Sequence, residues 1–411
     1  MTKLNELIQQ FCPDGVEYKT LGSFATISRG GNFQKKDFRD DGFPCIHYGQ
    51  IYTKYGLFVD QTVSFISPVC ASKQKIALKN DIIMAVTSEN IEDVCKCLVW
   101  LGDGEVAVSG HTAIIRHLQN PKYLAYYFHS RMFFDQKRKL AHGTKVIEVT
   151  PDKLASVKIP LPPIEVQREI VRILDDFTEQ TEQLKASLTA ELTARKKQYE
   201  YYRDKLLMFG DDVPYRQIKD ICDIVDYRGK TPTKTSSGVF LVTAKNIRKG
   251  FIDYGKSQEY ISASDYDDVM RRGIPKIGDV LITTEAPCGN VAQVDREGIA
   301  LAQRVIKYRP KSEIINSEYL KYVLLGKEFQ SKLNAAATGG TVKGIKGSKL
   351  HKLTIPVPSI DVQEKVVSLL ESFDVPCNDL TSGLPAEIAA RQKQYEYYRD
   401  KLLTFKEQKS K

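Results

Sequence analysis

Several large protein classes are excluded by what the sequence lacks. Its eight cysteines, at 12, 45, 70, 95, 97, 222, 288 and 377, form no CxxC pair. Cys95 and Cys97 make a lone CxC with no histidine or cysteine partner at zinc-finger spacing. Scattered thiols of this kind read as reduced core or surface side chains. No apolar run approaches the roughly 18 residues of a membrane span. The opening MTKLNELIQQFC is polar and amphipathic, without an apolar leader core. A cytoplasmic protein with no membrane partner is expected. No P-loop occurs: ATGGTVKGIKGSK (337–349) has the glycines without the GxxxxGK[ST] spacing. None of the six histidines stands in a pattern with cysteine or aspartate that suggests catalysis.

What is present is a repeat. QYEYYRDKLL occurs at 198–207 and again at 394–403. The duplication is wider than this decapeptide. ARKKQYEYYRDKLLMF (194–209) matches ARQKQYEYYRDKLLTF (390–405) at fourteen of sixteen positions. IPLPPIEVQREIVRILDDF (159–177) likewise answers IPVPSIDVQEKVVSLLESF (355–373), at the same offset of 196 residues. Apolar residues then recur at steps of three and four: Ile170, Ile173, Leu174, Phe177, Leu184, Leu188, Leu192, Tyr199, Tyr202, Leu206 and Phe209. Such a stripe predicts an amphipathic helix. About 45 residues of helix would be roughly 65 Å long. A single apolar stripe needs a partner, and the sibling helix is the obvious one. Pro376, Gly383 and Pro385 predict a kink or break in the second copy, followed by a resumed helix.

Two segments of similar size alternate with these helices. Each mixes short Val/Ile/Tyr-rich runs, turn residues and one or two helical stretches, so each reads as α+β. The predicted boundaries are an N-terminal helix at 1–13, a first globular domain at 14–160, a central spacer helix at 161–212, a second globular domain at 213–356 and a C-terminal spacer helix at 357–411. The opening LNELIQQF followed by PDGVEYKTLG echoes KLLMFGDDVPYRQIKD. The chain therefore opens like the tail of a repeat, with its N-terminus expected beside the C-terminal helix. Net charge is +9. All of the positive excess sits in the two globular segments, which are the candidates for contact with a polyanion.

Two variable domains alternating with near-identical helices, the PLPPIEVQ and PVPSIDVQ junctions and the paired ARxKQYEYYRDKLL ends together resemble the specificity (S) subunit of type I restriction–modification systems. The resemblance covers essentially the whole chain. It implies two globular α/β target recognition domains, separated by two long antiparallel helices that form a coiled coil with an internal pseudo-twofold repeat. Each domain would read one half of a split, asymmetric sequence in double-stranded DNA, and the helices would set the gap. Two methyltransferase (M) subunits would bind, with restriction (R) subunits as optional further partners. The chain itself would be non-catalytic and without cofactor; S-adenosylmethionine would sit on the methyltransferase subunit, for methylation of adenine. The residues agree: an adenine methyltransferase needs an N/D-P-P-F/Y tetrapeptide, and the nearest match, Asn120-Pro121-Lys122-Tyr123, lacks the second proline. The competing readings are a stand-alone sequence-specific DNA-binding protein, a methyltransferase or nuclease in its own right, and a coiled-coil scaffold.

Side chains that match base edges are sought in turns after strands. The first domain offers Arg29, Asn32, Gln34, Lys35 and Lys36; His47, Tyr48, Gln50 and Lys54; Thr87, Ser88 and Asn90; and His111 with Thr112. The second offers Arg228, Lys230, Thr231 and Lys234; Lys245, Asn246, Arg248 and Lys249; Thr283 and Thr284; and Gln303 with Arg304. Lys343, Lys346 and Lys349, in a glycine-rich loop, are candidates for phosphate contact. For each of these the plain alternative is a solvated loop or a local turn hydrogen bond. Tyr199 and Tyr202 lie on the apolar stripe and read as core. Tyr201 and Tyr397 lie off it and are candidates for contact with a partner protein.

Overall fold

In the computed structural model the described residues are 2–227, 232–339, 343–378 and 383–408. The PLPP segment cannot be helical, and the helix begins directly after it, running as Ile164–Leu206 for 43 residues. Its start is fixed by Gln167, which is fully buried. The Gln167 amide donates to the Pro162 carbonyl at 2.7 Å and to Gln119 at 2.8 Å, while its oxygen accepts from the Asn120 nitrogen at 3.1 Å. Asn120 in turn caps the helix Pro121–Phe128. The second copy repeats this: Gln363 donates to the carbonyls of Pro358 and Ile314 and accepts from the Asn316 nitrogen, and Asn316 caps Ser317–Leu325. The glutamine in each VQ pair is therefore a buried tie between a spacer and its domain.

The second spacer is two helices, Ile360–Asn378 and Leu384–Leu403. Pro376 lies inside the first of these, and Pro385 lies in the opening turn of the second, where the missing N–H costs no helical bond.

The chain forms two compact units, Met1–Ala186 with Ile388–Lys411, and Ser187–Glu387. Each takes in one globular segment and part of both spacers. In the first unit the spacers pack side by side. Phe177 meets Tyr398, Thr178 bonds Tyr395 at 2.9 Å, and Lys185 donates to Gln392 at 3.1 Å. Rising numbers on one helix meet falling numbers on the other, so the segments are antiparallel. In the second unit Tyr202 stacks on Phe373, and Tyr199 and Leu207 are buried with Val366, Val367 and Leu370. Tyr201 and Tyr397 are exposed.

Each globular segment holds two larger sheets, besides short two-stranded ones. In the first unit one sheet orders Ala25–Arg29, Thr112–His117, Ile82–Ala85, Cys97–Trp100 and Phe58–Val59; the other orders Phe38–Arg39, Phe65–Ile66, Phe43–Ile46, Val106–Val108 and Lys75–Ala77. The second unit has a sheet of Cys222–Asp226, Val305–Pro310, Val280–Thr284 and Cys288–Gln293, and another of Lys234–Thr235, Tyr260–Ile261, Val239–Val242 and Ile299–Leu301. Both second sheets carry one parallel pair at matching places, Ala107 opposite Cys45 and Ala300 opposite Leu241. The runs IIMA and VLITT are buried along their whole length, which is why they read as continuous apolar strands rather than alternating ones. A buried carboxylate precedes each run. Asp81 pairs with Arg116, and Asp279 with Arg309, both at 2.7 Å. Asp81 and Asp279 also accept from the nitrogens of Leu78 and Lys276, closing the turn into the strand.

The N-terminal helix Thr2–Phe11 buries Leu4 in the core of the first unit. Beyond it, the Val16 nitrogen donates to the Lys406 carbonyl at 2.8 Å and the Gln408 nitrogen to the Val16 carbonyl at 2.9 Å. Gly15 makes this possible. It has φ +115°, and a Cβ there would lie 2.5 Å from the Lys406 oxygen. The two ends of the chain thus meet within one unit. Leu206, Leu207 and Phe209 join the core of the second globular segment as Leu402, Leu403 and Phe405 join that of the first, so Thr2–Phe11, which packs on the first core beside them, is an additional helix rather than a substitute for a repeat tail.

Candidate nucleic-acid interface

One end of the first domain collects most of the polar clusters named from the sequence. Strand Ala25–Arg29 ends there, Thr112–His117 begins there, and Ile82–Ala85 runs on into Thr87–Ser88. From the other sheet, Phe43–Ile46 gives way to His47 and Val106–Val108 to Ser109 at the same end. The chain crosses between sheets at Gly30 and Gly31. A Cβ on Gly30 would lie 2.0 Å from the Ser109 oxygen, so the crossing excludes any side chain.

A row of rings lines this end. Tyr48 lies 4.5 Å from His47 and 4.9 Å from His111 between ring centres. His111 is exposed and shares a 3.1 Å hydrogen bond with the Thr87 hydroxyl. Arg29 is held by Glu148 at 2.7 Å and donates to the Gly110 carbonyl. Glu148 belongs to a hairpin in which His142 and Glu148 exchange backbone hydrogen bonds and Ile147 pairs with Ser88. Asn32, Gln34, Lys35, Lys36 and Lys54 are exposed around it. Asn90 is exposed but bonded to Asp93.

His47, Gln50 and Thr112 occupy different positions from those their residue types suggested. All three are buried, as is Thr87. His47 is the N-cap of Tyr48–Thr53: its Nδ1 accepts from the Gly49 nitrogen, and its own nitrogen donates to Gln50. Gln50 also donates to Ser64, and Thr112 to the Ser109 carbonyl. Their polar atoms are engaged in holding the loops. Burial, with Lys35 and His111 nearby, depresses the His47 pKa to about 4, so the ring is neutral.

The second domain builds the same end with other side chains. The Thr284 nitrogen accepts the place that Val86 has in the first domain, donating to the Arg304 carbonyl as Val86 donates to that of His111. Arg304, exposed and at φ +68°, is held by Glu285 at 3.3 Å. Thr338 and Gly344 exchange backbone hydrogen bonds 196 residues after His142 and Glu148, and Gly344 bridges to Glu285. Lys343, Lys346 and Lys349 are exposed beside it. Lys245 and Lys249 are exposed, Arg248 faces Asp253 at 3.6 Å, and Lys234 is paired with Glu259. Gln303 is half-buried. Arg228, Lys230 and Thr231 lie outside the described residues.

Here too, three of the named side chains belong to the scaffold. Asn246 is fully buried: its oxygen accepts from Thr243, and its amide donates to the carbonyls of Asp253 and Lys256. The Thr283 hydroxyl accepts from the Asn290 nitrogen and that of Thr284 faces the Arg304 carbonyl, both inside the fold. Sequence reading missed Glu148 and Glu285, the carboxylates that orient Arg29 and Arg304. The 196-residue offset extends to the paired residues at these places, His142 with Glu148 and Thr338 with Gly344, and the shared AHG/ATG start was the only trace of it.

Comparison with known proteins decides the family. A profile for the type I restriction modification DNA specificity domain matches twice, over residues 13–194 and 210–390. The chain belongs to this family. The specificity-domain matches coincide with the internal repeat, each taking in one globular segment. An Escherichia coli relative, the type I restriction enzyme EcoR124I/EcoR124II specificity subunit, is 35% identical over 267 residues, 60% of this chain and 63% of its own length. The match thus spans less than two thirds of that relative. A Haemophilus influenzae protein, the putative specificity subunit S.HindORF215P, is 31% identical over 278 residues, 64% of this chain and 68% of its own length. A solved chain of a type I R-M system shares the fold at TM-score 0.65 and 18% identity, covering 96% of this chain and 98% of that one. Among the described residues no helix is long and apolar enough to cross a membrane.

Proposed function

We propose that the chain is the DNA-reading, non-catalytic subunit of a cytoplasmic type I restriction–modification complex. Each globular domain reads one half of a split target, the spacer helices set the gap, and two methyltransferase subunits dock on the repeated helices. Restriction subunits are optional further partners, and S-adenosylmethionine is bound by the methyltransferase subunit. One observation carries this reading. Both domains build the same sheet end, with matching backbone hydrogen bonds, but furnish it differently: exposed His111 with Arg29 in one, Arg304 paired with Glu285 in the other. A shared frame with unlike side chains suits two readers of unlike half-sites. Lysines at the rim supply phosphate contacts, which give affinity and salt dependence without sequence information.

The test is the adenine methylation pattern of cells that express this chain with its methyltransferase subunit. Long-read sequencing should find N6-methyladenine in one motif of two unlike halves separated by a fixed unread gap. Methylation of a continuous motif, or none beyond that of cells lacking the chain, would overturn the reading.

A further inference from the structure

The two units treat the same helix face differently. Val166, Glu169 and Ile173 are spaced by three and four residues and share one face of Ile164–Leu206. They are 0, 4 and 6% exposed. The counterparts 196 residues later are Val362, Lys365 and Leu369, on one face of Ile360–Asn378. There Val362 is 37% and Leu369 50% exposed, and Lys365 is exposed as well.

The first unit closes its face with its own N-terminal helix. Lys3 reaches Glu169 at 3.6 Å, and Leu4, next along Thr2–Phe11, is buried in the cluster that holds Val166, Ile170 and Ile173. In the second unit the chain enters the domain directly from Ile164–Leu206, and no helix corresponding to Thr2–Phe11 exists among the described residues. Corresponding helix faces with opposite coverage mark an unfilled helix seat.

We propose that Val362, Lys365 and Leu369 seat one amphipathic helix of a partner chain, and that this helix carries a carboxylate against Lys365. The proposal rests on the reading that methyltransferase subunits dock on the spacers, and it gives the chemistry of one such contact. Charge decides the occupant. In the first unit the covering helix brings a lysine to a glutamate. In the second the spacer presents Lys365, which has no ion pair among the described residues. The N-terminal helix of a second copy would bring Lys3 against Lys365, like against like, and would first have to leave its own core. A foreign helix with the apolar spacing of Leu4, Leu7 and Ile8 but an acidic residue in place of Lys3 satisfies both the face and the charge. The two units are then unequal: the face of one is capped from within, that of the other by a partner.

The test uses the full-length chain and the methyltransferase subunit of the same host, with stoichiometry and affinity read by native mass spectrometry and titration. The substitutions Leu369→Asp and Lys365→Glu are on the surface, and unchanged thermal unfolding of the free variants checks that the fold is kept. Wild type should take two methyltransferase subunits. Each variant should weaken one of the two by roughly ten-fold or more, while Lys365→Arg stays close to wild type. A photo-cross-linking residue at 369 should capture one helical peptide of the methyltransferase subunit containing aspartate or glutamate. Unchanged binding of two subunits by both variants would overturn the proposal, as would a cross-link from 369 to a second copy of this chain. Failure of the wild-type chain to bind any methyltransferase subunit is a separate outcome, and it sinks the reading on which the proposal rests.

Discussion

The carboxylate of Asp204 accepts a hydrogen bond from the backbone nitrogen of Lys327, 3.1 Å away, across 123 residues of sequence. Asp400 does the same for Arg131 at 3.3 Å. Both aspartates come from the repeated YYRD, and both meet the first residue of a domain helix, Lys327–Ala336 or Arg131–Leu140. A helix start has unpaired N–H groups and a partial positive charge, and a carboxylate answers both. Arg203 and Arg399 pair with the same aspartates and lie over Tyr199 and Tyr395. The decapeptide thus fastens each domain to its spacer.

The two caps are unequal in their reserves. Ser130 also caps Arg131–Leu140 with its hydroxyl, whereas Lys327–Ala336 begins at Gly326, which has no side chain to offer. Asp204→Ala should therefore cost more stability than Asp400→Ala, on the order of 1–2 kcal/mol against under about 1. Urea unfolding of the two variants checks the order, and equal midpoints would refute it.

Replacing either buried glutamine leaves polar groups without partners. Gln167→Ala strands the Asn120 nitrogen and the Pro162 carbonyl; Gln363→Ala strands their counterparts, the Asn316 nitrogen and the Pro358 carbonyl. Each should cost roughly 2–3 kcal/mol, well above a surface glutamine. Denaturant midpoints, with Gln180→Ala as the exposed comparison, provide the measurement.

His47 makes the first domain sensitive to acid. Its pKa in the fold is about 4, against about 6.5 for an unfolded histidine. The folded value is the lower, so the stability that the neutral ring contributes is complete above about pH 6.5 and is lost as pH falls toward 4. Asparagine keeps a cap acceptor for the Gly49 nitrogen but does not titrate. Melting temperatures of His47→Asn should accordingly fall less than those of wild type between pH 7 and pH 4.5.

The spacer reading makes a mechanical prediction. Four residues inserted beside Ala190, on an exposed stretch of the central helix, lengthen it by about 6 Å. The preferred gap between half-sites should then shift by about two base pairs, at roughly 3.4 Å each. Selection from DNA pools with randomised gaps measures this, and an unchanged gap would remove the ruler.

Local pattern made some of this architecture legible in advance. The spacer helices announced themselves through a three-four apolar stripe and through proline at their starts, because helix periodicity is written residue by residue. The loops at the sheet ends were legible as clusters, since SRGGN, TSEN and AQR stand where strand patterns stop. Individual roles were not. Asn246 and Gln50 have side chains suited to base edges, but burial gave them carbonyl and hydroxyl partners within the fold. Glu148 and Glu285 carried no local signal, because their meaning depends on arginines 119 and 19 residues away.

The sequence alone determined the duplication, the long helices, the placement of positive charge in the globular segments and the resemblance to a specificity subunit. These follow from short-range spacing and from identity between distant copies. Only the tertiary structure decided which polar side chains face outward and that the N-terminal helix covers one copy of a repeated face and leaves the other bare. Burial and pairing are set by chain segments hundreds of residues apart. Two copies of one repeat can therefore end in unlike surroundings, which their shared apolar pattern does not reveal.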